Sequence, residues 1–204
     1  MRKVLHLFVL VLFFYLCAFG VTAVFASPQA VVTSQVSRDD KIDIEYPVVS
    51  GLDNLAAEEK INTVVLNHIK RFSAVMAADS HVREAVSRYE VHHNADGLLS
   101  LTITQYQYSG GAHGMSVMKG FTFDLLTGYV YQFTDLLPPW ERDRFNQSIL
   151  QQIAVKKIPL LQPFTEIKAE PDFYLLPERK LVIFYQLYEL APYAWGFVRF
   201  PIDY

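Results

Sequence analysis

Polar and apolar residues alternate most cleanly between Leu98 and Tyr108. Leu99, Leu101 and Ile103 take one face, and Ser100, Thr102, Thr104, Tyr106 and Tyr108 the other. A period of two also marks residues 41–49, where Ile42, Ile44, Tyr46 and Val48 oppose Lys41, Asp43 and Glu45. Residues 30–37 supply a partner strand, and Arg38, Asp39 and Asp40 a polar turn between the two. The period then lengthens. Leu55, Ile61, Val65, Ile69, Phe72 and Met76 recur at helical spacing behind an N-cap at Asp53 or Asn54. Glu58 and Glu59 at its start, and Lys70 and Arg71 toward its end, complement the helix dipole.

Residues 85–93 alternate again, with Tyr89, Val91 and His93 opposite Arg88, Glu90 and His92, and Asn94, Ala95, Asp96 and Gly97 form a hairpin turn. Val117, Lys119, Phe121 and Phe123 alternate with Met118, Gly120 and Thr122, and Thr127 with Gly128 turns the chain into a strand at 129–133. Connections this short exclude parallel crossovers, so these strands form an antiparallel meander. Pro138 and Pro139 open a second helix over about 140–157, with Phe145, Ile149 and Ile153 on one stripe. Residues 158–171 form a proline-bearing surface connection, followed by strands at 173–176, 180–187 and 197–202. Leu181 to Tyr185 is apolar on both faces and predicts a central strand. The pattern predicts an α+β fold, a mostly antiparallel β-sheet with two packed helices.

Arg2 and Lys3 precede an almost wholly apolar run from Val4 to Val24, and Val24, Phe25 and Ala26 offer a peptidase its small residues. Residues 1–26 therefore read as a signal peptide, with an uncleaved membrane anchor as the alternative, and residues 27–204 as a single exported module. Phe14, Tyr15 and Leu16 before Cys17 do not make a lipoprotein box. Cleavage removes Cys17, the only cysteine, and two positive charges. Sixteen basic residues then face twenty-one acidic ones, a formal charge of −5. That balance argues against a nucleic-acid partner, and no cofactor motif is present. Membrane contact is expected only through an uncleaved N-terminal segment.

Two segments carry candidate chemistry. Gly110, Gly111 and Gly114 surround His113 just beyond Tyr108, and their backbone suits either a ligand group received by exposed N–H groups or a tight loop. Tyr188, Glu189, Tyr193 and Trp195, closed by Pro192 and Gly196, form either an aromatic contact surface or part of the core. The five histidines beyond the leader (His68, His81, His92, His93 and His113) follow no metal-ligand spacing, and adjacent His92 and His93 point to opposite strand faces. His113 could approach one of them across the sheet, but no functional metal site is expected. No serine elbow or thiol nucleophile stands out, so an envelope hydrolase would pair His113 with Glu189 or Asp124.

The run Asp96 to Leu101, then Tyr108-Ser109-Gly110-Gly111-Ala112-His113-Gly114, continues through Phe121-Thr122-Phe123-Asp124 with Thr127-Gly128 and Thr134-Asp135-Leu136-Leu137. It closes with Phe173-Tyr174-Leu175, Val182-Ile183-Phe184-Tyr185, the stretch Tyr188 to Gly196, and Phe200-Pro201-Ile202. These motifs resemble the extracellular lysozyme-sensing region of the sigma-V anti-sigma factor family. The same module forms the non-catalytic N-terminal part of some peptidoglycan deacetylases. The resemblance covers about residues 31–204, in halves of about 31–114 and 115–204, and implies an α+β fold and lysozyme or peptidoglycan as partner. Only Met1 to Lys3 precede the apolar run, and no catalytic region is expected beyond Tyr204. The expectation is a binding or sensing module at the cell envelope, without a signalling output or an activity of its own.

Overall fold

The computed structural model describes residues 27–204. The predicted leader, with Cys17, lies outside the described residues. Eight strands and three α-helices follow in the order β1 (Val31–Arg38), β2 (Ile42–Ser50), α1 (Leu55–Ala78), β3 (Glu84–Ala95), β4 (Leu98–Tyr108), β5 (Met115–Asp124), α2 (Phe133–Leu136), α3 (Arg142–Lys156), β6 (Asp172–Leu176), β7 (Lys180–Tyr185) and β8 (Val198–Asp203). The first five strands make one sheet in sequence order, and the last three a second sheet with β7 in the middle. All neighbours are antiparallel except β2 and β3, which α1 joins as a parallel crossover. The fold is α+β, as the pattern predicts. Among the described residues, no helix is long and apolar enough to cross a membrane.

Asn54 starts α1 by accepting hydrogen bonds from the backbone N–H groups of Ala56 and Ala57. Ile61, Val65 and Ile69 then pack on Leu99, Leu101 and Ile103 of β4. The helix runs on to Ala78, so Lys70 and Arg71 lie inside it rather than in its last turn, which carries no base. In β2 the buried set changes from Ile42 and Ile44 to Pro47 and Val49. There β2 has parted from β3, which it pairs only at Ile42, Asp43 and Ile44. The Asn62 side chain of α1 fills the vacated ladder, bonding both the N–H (2.8 Å) and the carbonyl (2.7 Å) of Val49.

The alternate face of β4 is not solvated in its first half. Ser100 and Thr102 are buried, as is Thr122 of β5. The free edge of β6 stands on this face. The Leu175 N–H donates to Ser100 Oγ at 2.8 Å, and Ser100 Oγ lies 2.9 Å from Thr122 Oγ1. A Cβ on Gly120 would lie 1.9 Å from the Phe173 carbonyl oxygen, so glycine is what lets β6 approach β5. An otherwise open sheet edge is thereby covered. On one side of the second sheet, Phe145, Ile149 and Ile153 of α3 pack with Leu181, Ile183 and Phe200. On the other side, Tyr174, Val182 and Phe184 close over Met118.

Three further expectations change. Residues 129–133 form no strand: Val130 makes one bridge to Phe123, and Asp135 takes the Gln132 N–H at 2.7 Å to start α2. The predicted second helix begins as a 3-10 turn at Pro139–Glu141 and becomes α-helical at Arg142. The surface connection before β6 sinks Ile158 and Ile167 into the core.

Candidate functional site

The β4–β5 loop and the segment after β7 meet at one end of the molecule. Gln186 is the fastener. Its side-chain amide accepts from the Met118 N–H (3.0 Å) and donates to the Met118 carbonyl (2.8 Å), as a neighbouring strand would. It also donates to Asp172 at 2.9 Å. Held there, the chain turns through Tyr188, whose φ is +61°, and a 3-10 turn at Tyr193–Trp195 that ends on Gly196 at φ +63°. Leu190 and Ala191 anchor the turn in the core.

Within the other loop, Gly110 and Gly111 have φ near +105° and +97°, values that side chains rarely adopt. The Tyr108 hydroxyl donates to the Gly111 carbonyl at 3.0 Å. Gly114 has a packing reason: a Cβ would lie 2.4 Å from the Tyr106 ring and from the Gln107 carbonyl.

The His113 ring stacks on Tyr193, centroids 3.9 Å apart and planes 21° from parallel. Its Nδ1 lies 2.9 Å from the Gly114 carbonyl, and Nε2 lies 3.4 Å from the Tyr188 hydroxyl. A carbonyl only accepts, so Nδ1 donates to it, and the Tyr188 hydroxyl stands beside the other ring nitrogen. Tyr193 donates to the same Gly114 carbonyl at 3.2 Å, and the Tyr188 and Tyr193 rings are 5.6 Å apart. Tyr188 and Trp195 keep 48% and 42% of their surface exposed, so this is a surface cluster of rings, not core. Trp195 stands on the same turn without stacking on the other rings among the described residues.

The two carboxylates considered with His113 are committed elsewhere. Glu189 accepts the Gln186 N–H at 2.7 Å and forms an ion pair with Lys168. Asp124 lies at the far end of β5, roughly 30 Å along the strand from Met115. There it accepts from the N–H groups of Leu126 and Thr127 and from the Thr127 hydroxyl.

Nor does His113 approach His92 or His93, which sit near the opposite end of the sheet, where His93 pairs with Ser100. A bulge between Val91 and His93 turns His92 into the seam between the sheets. There it stacks on Tyr174 at 3.9 Å and bonds Thr102 Oγ1 at 2.9 Å. Among the described residues no three His, Cys, Asp or Glu side chains gather as a metal site.

Burial holds the His92 pKa below its ordinary value, and Arg199 adds to this while the Glu90 carboxylate opposes it. Burial does the same to His68, helped by Arg71 and Lys119. The unfolded chain therefore takes up these protons first. The stability of the neutral rings is fully present above about pH 6.5 and is lost as pH falls through the lower folded-state values. We expect Tm to fall as pH drops below about 6.5, and the fall to shrink in a His68→Gln/His92→Gln variant. An unchanged slope in that variant would remove both histidines from the explanation.

Residues 36–116 match the family model described as "Deacetylase PdaC", and residues 134–204 match "Protein of unknown function (DUF3298)". The fold resembles the crystal structure of a DUF3298 family protein from Pseudomonas aeruginosa PAO1, with a TM-score of 0.57 at 16% identity over 88% of this chain and 92% of that one. A DUF3298 member from Bacteroides fragilis NCTC 9343 gives 0.55 at 15% identity, over 86% and 89%. No curated protein matches the chain. His113 belongs to the first matched stretch and Tyr188, Tyr193 and Trp195 to the second, so the ring cluster forms where the two meet. Each match is thus a likeness of one part of the chain, residues 36–116 to the PdaC model and residues 134–204 to the DUF3298 model.

Proposed function

We propose that the chain is an exported binding module of the cell envelope that holds a peptidoglycan glycan on its ring cluster. One observation carries this reading: segments 75 residues apart converge to stack His113 on Tyr193 beside exposed Tyr188 and Trp195. Exposed rings bearing hydroxyls offer flat apolar faces and polar edges, the combination that sugar rings present in return. The N–H groups of Ala112 and His113, which have no partner among the described residues, add donors at the rim. Of the two carboxylates weighed as partners of His113, Asp124 stands at the far end of β5 and Glu189 is held by the Gln186 N–H, which favours holding a ligand over transforming it.

Trp195→Ala and Tyr188→Ala are each expected to weaken binding of solubilised peptidoglycan about tenfold, the usual loss for an aromatic anchor. Calorimetric titration of the purified protein measures it, with lysozyme, the partner implied by the sigma-V resemblance, as the second titrant. Folded variants that bind the glycan as tightly as the parent would overturn the assignment of the cluster. Binding of lysozyme alone, sensitive to the same substitutions, would replace the glycan with a protein ligand.

A further inference from the structure

A second feature borders the same loop. Lys41, Ser80, His81, Val82, Arg83 and Ser109 line a surface cavity of about 430 Å³. Lys41 comes from the β1–β2 turn, the next four from the α1–β3 connection, and Ser109 from the residue after β4. Among the described residues neither Lys41 nor Arg83 has an acidic side chain within ion-pair distance, whereas Arg38, Arg88, Lys119 and Arg144 all do.

Two acids beside the cavity are engaged by backbone, while Asp40 and Glu84 adjoin Lys41 and Arg83 in sequence. Asp39 accepts from the N–H groups of Lys41 (2.9 Å) and Ile42 (2.8 Å), and Asp79 from the His81 N–H at 2.8 Å and its ring at 3.1 Å. These bonds fix the cavity walls. Arg83 is fixed as well: its N–H donates to the Tyr108 carbonyl at 2.8 Å, and its guanidinium lies against Gly110. A Cβ on Gly110 would stand 3.4 Å from the guanidinium carbon. The loop that presents His113 to the tyrosines therefore presents its other end to a free guanidinium.

We propose that this cavity binds an oxyanion, a carboxylate or phosphate, carried by the ligand of the ring cluster, so that the module selects acidic rather than neutral wall glycans. This rests on the ring-cluster reading for the identity of the ligand, but not for the anion site itself. A guanidinium, an ammonium and two hydroxyl side chains among the residues that line one cavity supply charge-assisted donors for such a group. Neither cation is in an ion pair among the described residues, so both remain available to an incoming anion.

The test is an amide-resolved NMR titration of the protein with inorganic phosphate and with acetate. Saturable shifts are expected at Ser80, His81, Arg83 and Ser109, and are lost in Lys41→Gln/Arg83→Gln. Absence of those shifts overturns the anion site, whether or not a glycan binds. In a parallel titration a muramyl glycan should bind about tenfold more tightly than a neutral N-acetylglucosamine oligomer, a preference the double variant abolishes. Equal binding of the two glycans overturns the claimed selectivity. Trp195→Ala should lose the glycan yet keep the phosphate shifts. Phosphate binding without any glycan binding would instead sink the ring-cluster reading and leave the anion site standing. Glycerol phosphate oligomers, used as a third titrant, distinguish a phosphate source from a carboxylate one.

Discussion

Replacing Gly120 with alanine is expected to destabilise the protein by about 1–3 kcal/mol, the usual cost of overpacking a tight contact. The new Cβ would stand 1.9 Å from the Phe173 carbonyl oxygen and 2.9 Å from its carbon. The obstacle is backbone in β6, so no change of rotamer relieves it. β6 must move away from β5, which disturbs the bond from Leu175 to Ser100 and the closure of Tyr174 over Met118. Thermal unfolding should report a Tm lower by roughly 2–4 °C for each kcal/mol in a chain of this size. A Tm equal to that of the parent would mean that the edge of β6 is not docked on the five-stranded sheet.

Ser100→Ala is expected to cost about 1–3 kcal/mol through a different mechanism, the stranding of a buried donor. Ser100 Oγ is the acceptor for the Leu175 N–H, and both residues are buried. Water cannot replace the missing hydroxyl without opening the seam. Thr122→Val removes only the hydroxyl partner of Ser100 and leaves the bond to Leu175 in place. It should therefore cost less. Denaturant unfolding of the two variants tests the order, and a larger loss in Thr122→Val would contradict the assignment of Ser100 as the joint.

These two positions also show where the sequence runs out as a guide. The alternation from Leu98 to Tyr108 predicts the strand and its apolar face, which packs on α1. The same alternation suggests a solvated opposite face, because Ser100 and Thr102 are polar. They are buried, and their hydroxyls are satisfied by Thr122, His92 and a backbone N–H 75 residues away. Polarity measures the need for a partner, and nothing local says whether that partner is water. Gly120 reads as one more step in an alternating strand, since its role depends on the path of β6. The bulge that turns His92 into the seam is equally silent in the pattern. Local signals did carry the elements they govern alone. Asp96 and Gly97, both at positive φ, make the β3–β4 turn, and Asn54 caps α1.

The candidate site shows the same division. Tyr108, Gly110, Gly111, His113 and Gly114 stand out as one segment, and Tyr188, Glu189, Tyr193 and Trp195 as another. Their meeting depends on Gln186, an unremarkable residue in sequence whose amide completes the edge of β5. Glu189 and Gly114 turn out to brace the backbone of the two loops. The exposed surface is left to Tyr188 and Trp195, with His113 and Tyr193 stacked beside them.

The most direct trial of holding without transforming is to titrate the protein and its Tyr188→Ala/Trp195→Ala variant with one defined wall glycan, weighing the glycan before and after. Saturable uptake by the parent, lost in the variant, with every fragment recovered at its starting mass, is the predicted result. A fragment returned lighter by an acetyl group or split in two, with that change abolished by substituting His113, would contradict it.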